Sequence, residues 1–234
     1  KKDEALGNWV RLETIMGRED KAISLMGNRI FSIWEGGGSF SAGEAWADAH
    51  LAKAMKALRA NDIQSAMAAF EAGLNPPKQL HARNQGNHET QIKYRLGCLY
   101  EELGELDQAK DCWKEILSSK PPQRGVNPGI IQAWLYWRTL AHKKLDPAQD
   151  IREFMEMLTN ISGNLDVSDM GEADYQFIRI NTLTALEEEA YPHYLAGLGY
   201  LGLNQPEKAR AAFGKALRIS PDFMSAKIAQ MQWD

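Results

Sequence analysis

The chain has 234 residues, of which 44% are apolar and 25% charged, and its formal net charge is -4. These values are ordinary for a soluble globular protein, and the weakly acidic balance argues against nucleic acid or anionic lipid as a partner. No stretch approaches the roughly 20 consecutive apolar residues that a membrane-spanning helix needs. We therefore expect no nucleic-acid and no membrane partner and a cytoplasmic location, with the periplasm left open.

Small and aromatic residues recur at matching offsets from the beginning of the chain. The first segment, residues 3–36, carries Trp9, Val10, Gly17, Ala22 and Met26. After a Gly/Ser loop at 36–43, residues 47–80 repeat the pattern with Ala54, Ala57, Asn61, Ala66 and Phe70. A long irregular connection, 73–89, contains Pro and Gly residues that favour a loop. The segments 3–36 and 47–80 are therefore each predicted to form a pair of helices joined by a turn.

The clearest copies are residues 90–123 and 190–223. The first contains Gly97, Tyr100, Gly104, Ala109, Trp113 and Pro121, and the second has its counterparts at Gly197, Tyr200, Asn204, Ala209, Phe213 and Pro221. Small residues at Gly197 and Ala209 let two helices approach closely, while Tyr200 and Phe213 fill the space beside the crossing. Pro221 is expected to end the second helix, because a proline disfavours helical backbone in the residue before it.

The segment between these two copies fits the pattern less well. Residues 132–160 keep Leu135, Asp146, Ile151 and Met155 in register but lack the small residues, so they form a degenerate copy. Irregular stretches flank this segment at 118–129 and 160–172. After Pro221, apolar residues at helical spacing predict a capping helix over 221–233, which terminal repeats need to cover their core.

The spacing in residues 90–123 and 190–223 resembles the tetratricopeptide repeat, a unit of about 34 residues made of two antiparallel helices. This resemblance implies an all-α fold, a right-handed α-solenoid of antiparallel helix pairs with irregular loop insertions and a C-terminal capping helix. We expect a single repeat domain over residues 1–234.

A narrower resemblance rests on "NRIFSIWEGG", which contains Trp34 and Glu35, and on the later Asp174-Tyr175. These motifs look like the repeat-bearing C-terminal region of large bacterial proteins of uncharacterised function. Such proteins have an N-terminal β-rich domain similar to mutarotase-like sugar-binding folds. Gly38 departs from the acidic residue of that pattern, and the stretch after Tyr175 lacks its Pro-containing turn. The resemblance implies that this chain is a fragment whose sugar-binding half lies elsewhere.

Residues that could perform chemistry are few. His81, His88 and Glu89 share one loop, but no further ligand has metal-site spacing, so we expect no metal and no cofactor. His50, His142 and His193 are expected to be partly solvated helix residues. Cys98 and Cys112 form no CxxC pair and are interpreted as small apolar packing residues.

No sequence motif indicates an enzyme. Phosphate-loop, dinucleotide and serine-hydrolase motifs are absent from the sequence, so we predict no catalytic residue. Glu187, Glu188 and Glu189 point to different sides of a helix and are interpreted as a solvated charge run. Trp34 and Glu35 have two interpretations: a helix-end anchor, which we favour, or an aromatic-carboxylate pair that binds a sugar.

First helices of stacked pairs line the concave face of a solenoid, where a ligand would bind. The residues predicted to bind a partner in this groove are Tyr94, Glu101, Tyr136, Lys143, Tyr191 and Tyr194, with Trp34 and Glu35 as a loop candidate. The opposing hypothesis is that these side chains pack against the next repeat. Tyr94 and Cys98 stand where repeats that bind acidic chaperone tails carry Lys and Asn, so such a tail is not expected.

The sequence therefore favours a non-catalytic interaction or scaffold module that binds a peptide or partner domain. An alternative makes it the accessory helical half of a larger carbohydrate-active protein, packed on a β-rich domain of the same protein. A third hypothesis is a homo-oligomerising structural array.

Overall fold

The described part of the chain is built from helices alone. The computed structural model describes residues 2–27, 29, 42–80, 86–121, 127–161 and 184–233. Their helices are α1 (Lys2–Ile15), α2 (Glu19–Gly27), α3 (Ala42–Arg59), α4 (Ile63–Leu74), α5 (Gly86–Glu102), α6 (Leu106–Ser118), α7 (Pro128–Leu145), α8 (Arg152–Thr159), α9 (Ala185–Gly202), α10 (Pro206–Ile219) and α11 (Met224–Gln230). A short 3-10 turn covers Lys78–Leu80. The predicted all-α class, an α-solenoid of helix pairs, is confirmed.

Four helix pairs share one kind of turn. The residue that reverses the chain has a positive φ in each: 71° at Gly17, 56° at Asn61, 80° at Gly104 and 56° at Asn204. The next amide donates back to a carbonyl five residues earlier, as Glu105 does to Tyr100 at 2.8 Å and Gln205 to Tyr200 at 2.8 Å. Gly and Asn tolerate this left-handed backbone best, which is why they recur at these positions.

Small residues bring the helices of a pair together where the spacing predicts it. A Cβ added at Gly97 would lie 2.5 Å from Nε1 of Trp113, and one added at Gly197 would collide with the Phe213 ring. Trp113 and Phe213 are themselves buried. The glycines thus make room for the aromatic ring of the second helix in each pair.

The segment predicted as a degenerate copy, residues 132–160, packs differently from the other pairs. Helix α8 packs against α9 rather than against α7, which contacts α5, α6 and α9. A Cβ on Gly199 of α9 would lie 2.6 Å from the carbonyl oxygen of Met155, so the small residues that admit α8 belong to α9. Helix α7 instead presents Trp134, Tyr136 and Trp137, which are too large for a close crossing.

The capping helix α11 links the last helix pair to the second one. It covers Met224–Gln230, shorter than the predicted 221–233, and packs against both α10 and α3. Ile228, 1% exposed, belongs to one core cluster with Met55 of α3. The last helix therefore closes onto the second pair, rather than only covering the pair before it.

Candidate partner-binding surface

Charged side chains of the first helices meet across different pairs. We call this set the inner face: Arg11 of α1, Glu44 and Asp48 of α3, His88 and Arg95 of α5, and Glu187 of α9. Arg11 forms an ion pair with Glu187, and Nδ1 of His88 lies 3.4 Å from Oδ1 of Asp48. These contacts arise because α1, α3, α5 and α9 each contribute their polar side to the same region.

Glu187 begins α9 and has two hydrogen-bonding roles. Its Oε2 accepts from the backbone N–H of Thr184 at 2.9 Å, and the Thr184 hydroxyl accepts from the Glu187 N–H at 3.2 Å, which forms a capping box. Its Oε1 accepts from Arg11. Glu187 is 4% exposed, so the interpretation of residues 187–189 as a solvated run is wrong at this position. Glu188 and Glu189 are exposed as expected.

Asp48 and His88 approach each other without a well-formed hydrogen bond. Oδ1 of Asp48 and Nδ1 of His88 are both shielded from solvent, and neither has a hydrogen-bond partner among the described residues. Burial raises the pKa of Asp48, while the neighbouring His88 lowers it. Glu44 keeps contact with solvent although protein surrounds it on the inner side, and this partial desolvation raises its pKa. The carboxylates of α3 are thus held in surroundings that do not fully stabilise their charge.

Arg95 lies deeper on the inner face, among aromatic side chains. Its guanidinium carbon is 5.4 Å from the centre of the Trp137 ring. Tyr94 and Tyr136 pack on the same tryptophan, with ring centres 5.6 and 4.9 Å away. Burial lowers the pKa of Arg95, and the groups that act against this effect are tyrosine and cysteine side chains. A cation is therefore held in mainly neutral surroundings.

The predicted groove tyrosines are largely packed inside the fold. Tyr136 and Tyr191 are each 3% exposed and Tyr194 is fully buried, while Tyr94 is half-buried. Tyr191 and Tyr194 both pack against Phe223, with ring centres 5.2 and 5.4 Å away. Of the two hypotheses, packing within the fold therefore holds for Tyr136, Tyr191 and Tyr194, because neighbouring helices and the chain before α11 cover them. Their role in partner binding stays a prediction.

The other predicted site residues are engaged locally or lie outside the described residues. Glu101 forms an ion pair with Lys144. Lys143 donates to the carbonyl oxygens of Pro147 at 2.6 Å and Gln149 at 2.7 Å, which closes the connection after α7. Trp34 and Glu35 lie outside the described residues, as do His81 and the Asp174-Tyr175 motif.

His50 departs from the expectation of partial solvation. It is 6% exposed and packs against Trp46 with ring centres 4.4 Å apart, because α4 closes over this side of α3. His142 is exposed and His193 half-buried. Within the described ranges, no group of three His, Cys, Asp or Glu side chains is placed to hold a metal ion. No helix described here is long and apolar enough to span a membrane.

The sequence interpretation missed Arg11, Glu44, Asp48 and Arg95, and it placed His88 in a loop, whereas this residue lies in α5. One signal was available for α5: His88 and Arg95 are seven residues apart, so they lie on one side of a helix. That spacing does not reveal which side faces the other pairs. Arg11 and Asp48 gave no local signal, because their contacts are with helices far away in sequence.

Two segments of the chain match models of the tetratricopeptide repeat, residues 90–123 and 190–223. Each matched segment is similar to a tetratricopeptide repeat, and together the two cover less than a third of the chain. The matches cover the two copies with the clearest spacing and support the assignment to this family. No curated protein and no solved structure matches the chain. Tetratricopeptide repeats generally mediate protein–protein interactions and are generally non-catalytic, which is consistent with a scaffold module.

Proposed function

We propose that this tetratricopeptide chain is a protein-interaction module whose inner face binds an element of a partner protein. The observation that carries the proposal is a set of polar atoms on α3 and α5: Oδ1 of Asp48, Nδ1 of His88 and Nε of Arg95. Each is shielded from solvent and has no hydrogen bond within the described residues. Buried polar groups in folded proteins normally have partners, so groups that lack one need an explanation. Asp48, His88 and Arg95 are only half-buried as residues, so a bound protein would approach their exposed atoms and offer hydrogen bonds there.

Chemistry on the same face gives no support to catalysis. Asp48 and His88 lie close together, but nucleophilic catalysis needs a third group that is activated by such a pair. Cys98, the nearest thiol to Arg95 on α5, has a pKa that burial raises, so little of it is thiolate at neutral pH. A binding role requires none of these side chains to be activated as a nucleophile.

The test is a photo-crosslinking comparison in the full-length protein inside its native cells. A photo-reactive benzoylphenylalanine replaces Glu44 on the inner face in one variant and the exposed Glu207 of α10 in a control variant. The proposal expects one protein to be crosslinked from position 44 and not from position 207. Equal crosslinking at the two positions, or none at position 44, would contradict it.

We propose docking of another domain as a second candidate function, because α1 and the turn that follows it share an exposed apolar side. Trp9, Leu12 and Met16 are 47%, 51% and 54% exposed and lie within two helical turns of one another. Single exposed apolar residues are common, whereas a contiguous group favours an interface. This candidate corresponds to the accessory half of a carbohydrate-active protein. A glycan array should then detect sugar binding by the full-length protein and none by residues 1–234 alone; binding by residues 1–234 would contradict it.

A further inference from the structure

Arg95 and Trp137 together present hydrogen-bond donors without an acceptor. Nε of Arg95 and Nε1 of Trp137 are both shielded from solvent, and neither donates to any atom of the described residues. The two side chains are stacked, with 5.4 Å between the guanidinium carbon and the ring centre. An arginine has five N–H donors and no acceptor, and the indole N–H is also a donor only. Only Nε of the guanidinium is shielded in this way, and Arg95 is half-buried as a residue, so an acceptor would reach its terminal nitrogens, and an anion would satisfy these donors best.

Other arginines of the described residues show what a satisfied guanidinium looks like in this fold. Arg11 pairs with Glu187, and Arg18 with Glu13. Arg138 is the closest match to Arg95, because its guanidinium carbon lies 5.3 Å from the centre of the Trp134 ring. Arg138, however, donates to the carbonyl oxygen of Ile116 at 3.1 Å and also to that of Leu117. Arg95 has the same aromatic support, but within the described residues it has no such acceptor.

We propose that Arg95 is the anchor for a carboxylate of the partner protein, supplied by an aspartate or glutamate side chain. The inference rests on the proposed function, and it assigns the chemistry of the element that the inner face binds. A carboxylate matches the planar guanidinium and accepts two parallel N–H bonds from it. Tyr94 and Tyr136 hold the Trp137 ring, so the stacked arginine is oriented before the carboxylate arrives.

The charge of the surroundings favours a carboxylate over a phosphate. Arg95 supplies one positive charge, and the groups that act on it are neutral tyrosine and cysteine side chains. Farther along the same inner face lie the carboxylates Glu44, Asp48 and Glu187, which repel a dianion more strongly than a monoanion. Phosphate sites usually combine several cations or a helix N-terminus with the arginine. A single arginine in aromatic surroundings fits one carboxylate.

The first experiment measures binding of a blocked peptide, acetyl-(Ala-Glu)4-amide carrying a fluorescent label, by fluorescence anisotropy. Blocking both ends excludes a chain-terminal carboxylate as the ligand. Wild-type protein should bind this peptide and not acetyl-(Ala-Gln)4-amide. Arg95→Met should weaken binding at least about tenfold, because charge-assisted hydrogen bonds are lost. Arg152→Met removes an exposed arginine of α8 that pairs with Glu156, and it should change binding less than about twofold.

The second experiment separates a ligand anchor from a structural arginine by thermal unfolding. Arg95→Met should leave Tm unchanged or raise it, because the variant replaces a desolvated cation, which pairs with no described carboxylate, by an apolar side chain. Arg138→Met should lower Tm, because it removes hydrogen bonds to two helix-end carbonyls.

Two binding results would overturn the inference: wild type does not bind the glutamate peptide, or Arg95→Met binds it as tightly as wild type does. Tighter binding of a phosphoserine peptide than of the glutamate peptide would also overturn it. So would a fall of Tm in Arg95→Met as large as that in Arg138→Met. The last outcome would mean that another part of the chain satisfies Arg95. None of these outcomes affects crosslinking from position 44, so the proposed function is tested separately.

Discussion

Arg11 of the first helix forms an ion pair with Glu187 of α9, 176 residues later in the chain. The same carboxylate caps the N-terminus of α9 through Thr184. One buried side chain therefore stabilises a local helix start and a contact between distant parts of the fold. Together with Ile228 of α11, which packs near Met55 of α3, this pair joins the N-terminal pairs to the C-terminal ones.

Arg11→Met should lower the free energy of unfolding by about 1–2 kcal/mol, because Glu187 stays buried and loses its cation. The expected loss of stability is moderate because the Arg11 side chain is 36% exposed and solvent screens its ion pair with Glu187. Chemical denaturation with urea measures the change. The matched control, Arg152→Met, breaks an exposed pair on α8 and should cost no more than about 0.5 kcal/mol. Equal losses in the two variants would contradict the structural role of the Arg11–Glu187 pair.

Gly197→Ala should destabilise the last repeat by about 1–3 kcal/mol, because the added methyl collides with the Phe213 ring in a packed crossing. Gly214→Ala on α10 is the control. Its added methyl would meet only the flexible end of Arg218, at 3.7 Å, and should be neutral or stabilising by up to about 1 kcal/mol. Denaturant titration measures the free energy of unfolding of both variants, and only Gly197→Ala should lower it relative to wild type. A neutral Gly197→Ala would show that α9 and α10 can separate without cost.

The repeat could be predicted from sequence because its determinants are local. Gly97 meets Trp113 and Gly197 meets Phe213 at the same separation along the chain, so each pair leaves the same mark in the sequence. The left-handed turns at Gly104 and Asn204 are likewise set by their own residue type. Helix α8 breaks this rule, because its close contact is with the small residues of α9 in the next segment.

The inner face could not be predicted because its contacts depend on how successive pairs stack. Glu187 looks like one of three solvated glutamates until the position of Arg11 is known. Tyr194 has the spacing of a groove residue, and it is buried only because Phe213 and Phe223 pack on it. Arg95 and Trp137 lie on different helices, and nothing in either segment alone places one over the other.

Acidification should destabilise the protein through His50. Burial lowers the pKa of this histidine to about 4, with a smaller contribution from Lys53. The folded protein thus holds His50 neutral while the unfolded chain, with a histidine pKa of about 6.5, takes up a proton below that pH. The contribution of His50 to stability is full above about pH 6.5 and is lost progressively as the pH falls toward 4.

The measurement for His50 is the free energy of unfolding at pH 7 and pH 4.5. Between these values wild type should lose about 2–3 kcal/mol through this residue, and His50→Phe should lack that part of the pH dependence. Phenylalanine keeps a ring against Trp46, so the variant tests protonation rather than packing. His142→Phe removes an exposed histidine of α7 and is the matched control for the substitution itself. The same loss in wild type and His50→Phe would mean that the buried ring accepts a proton in the folded state.

Ile228→Ala should weaken the closure of α11 onto α3. The side chain is 1% exposed and belongs to the cluster that contains Ala52 and Met55, so its truncation should cost about 2–4 kcal/mol. Hydrogen exchange read by mass spectrometry can locate the effect, because a broken contact between distant helices raises exchange in both partners. We expect faster exchange in α3, residues 42–59, as well as in α11. Ser225→Ala, a half-buried position on the same short helix, is the control and should leave α3 unchanged. If Ile228→Ala accelerates exchange in α10 and α11 alone, the last helix caps only its own repeat and does not stabilise α3.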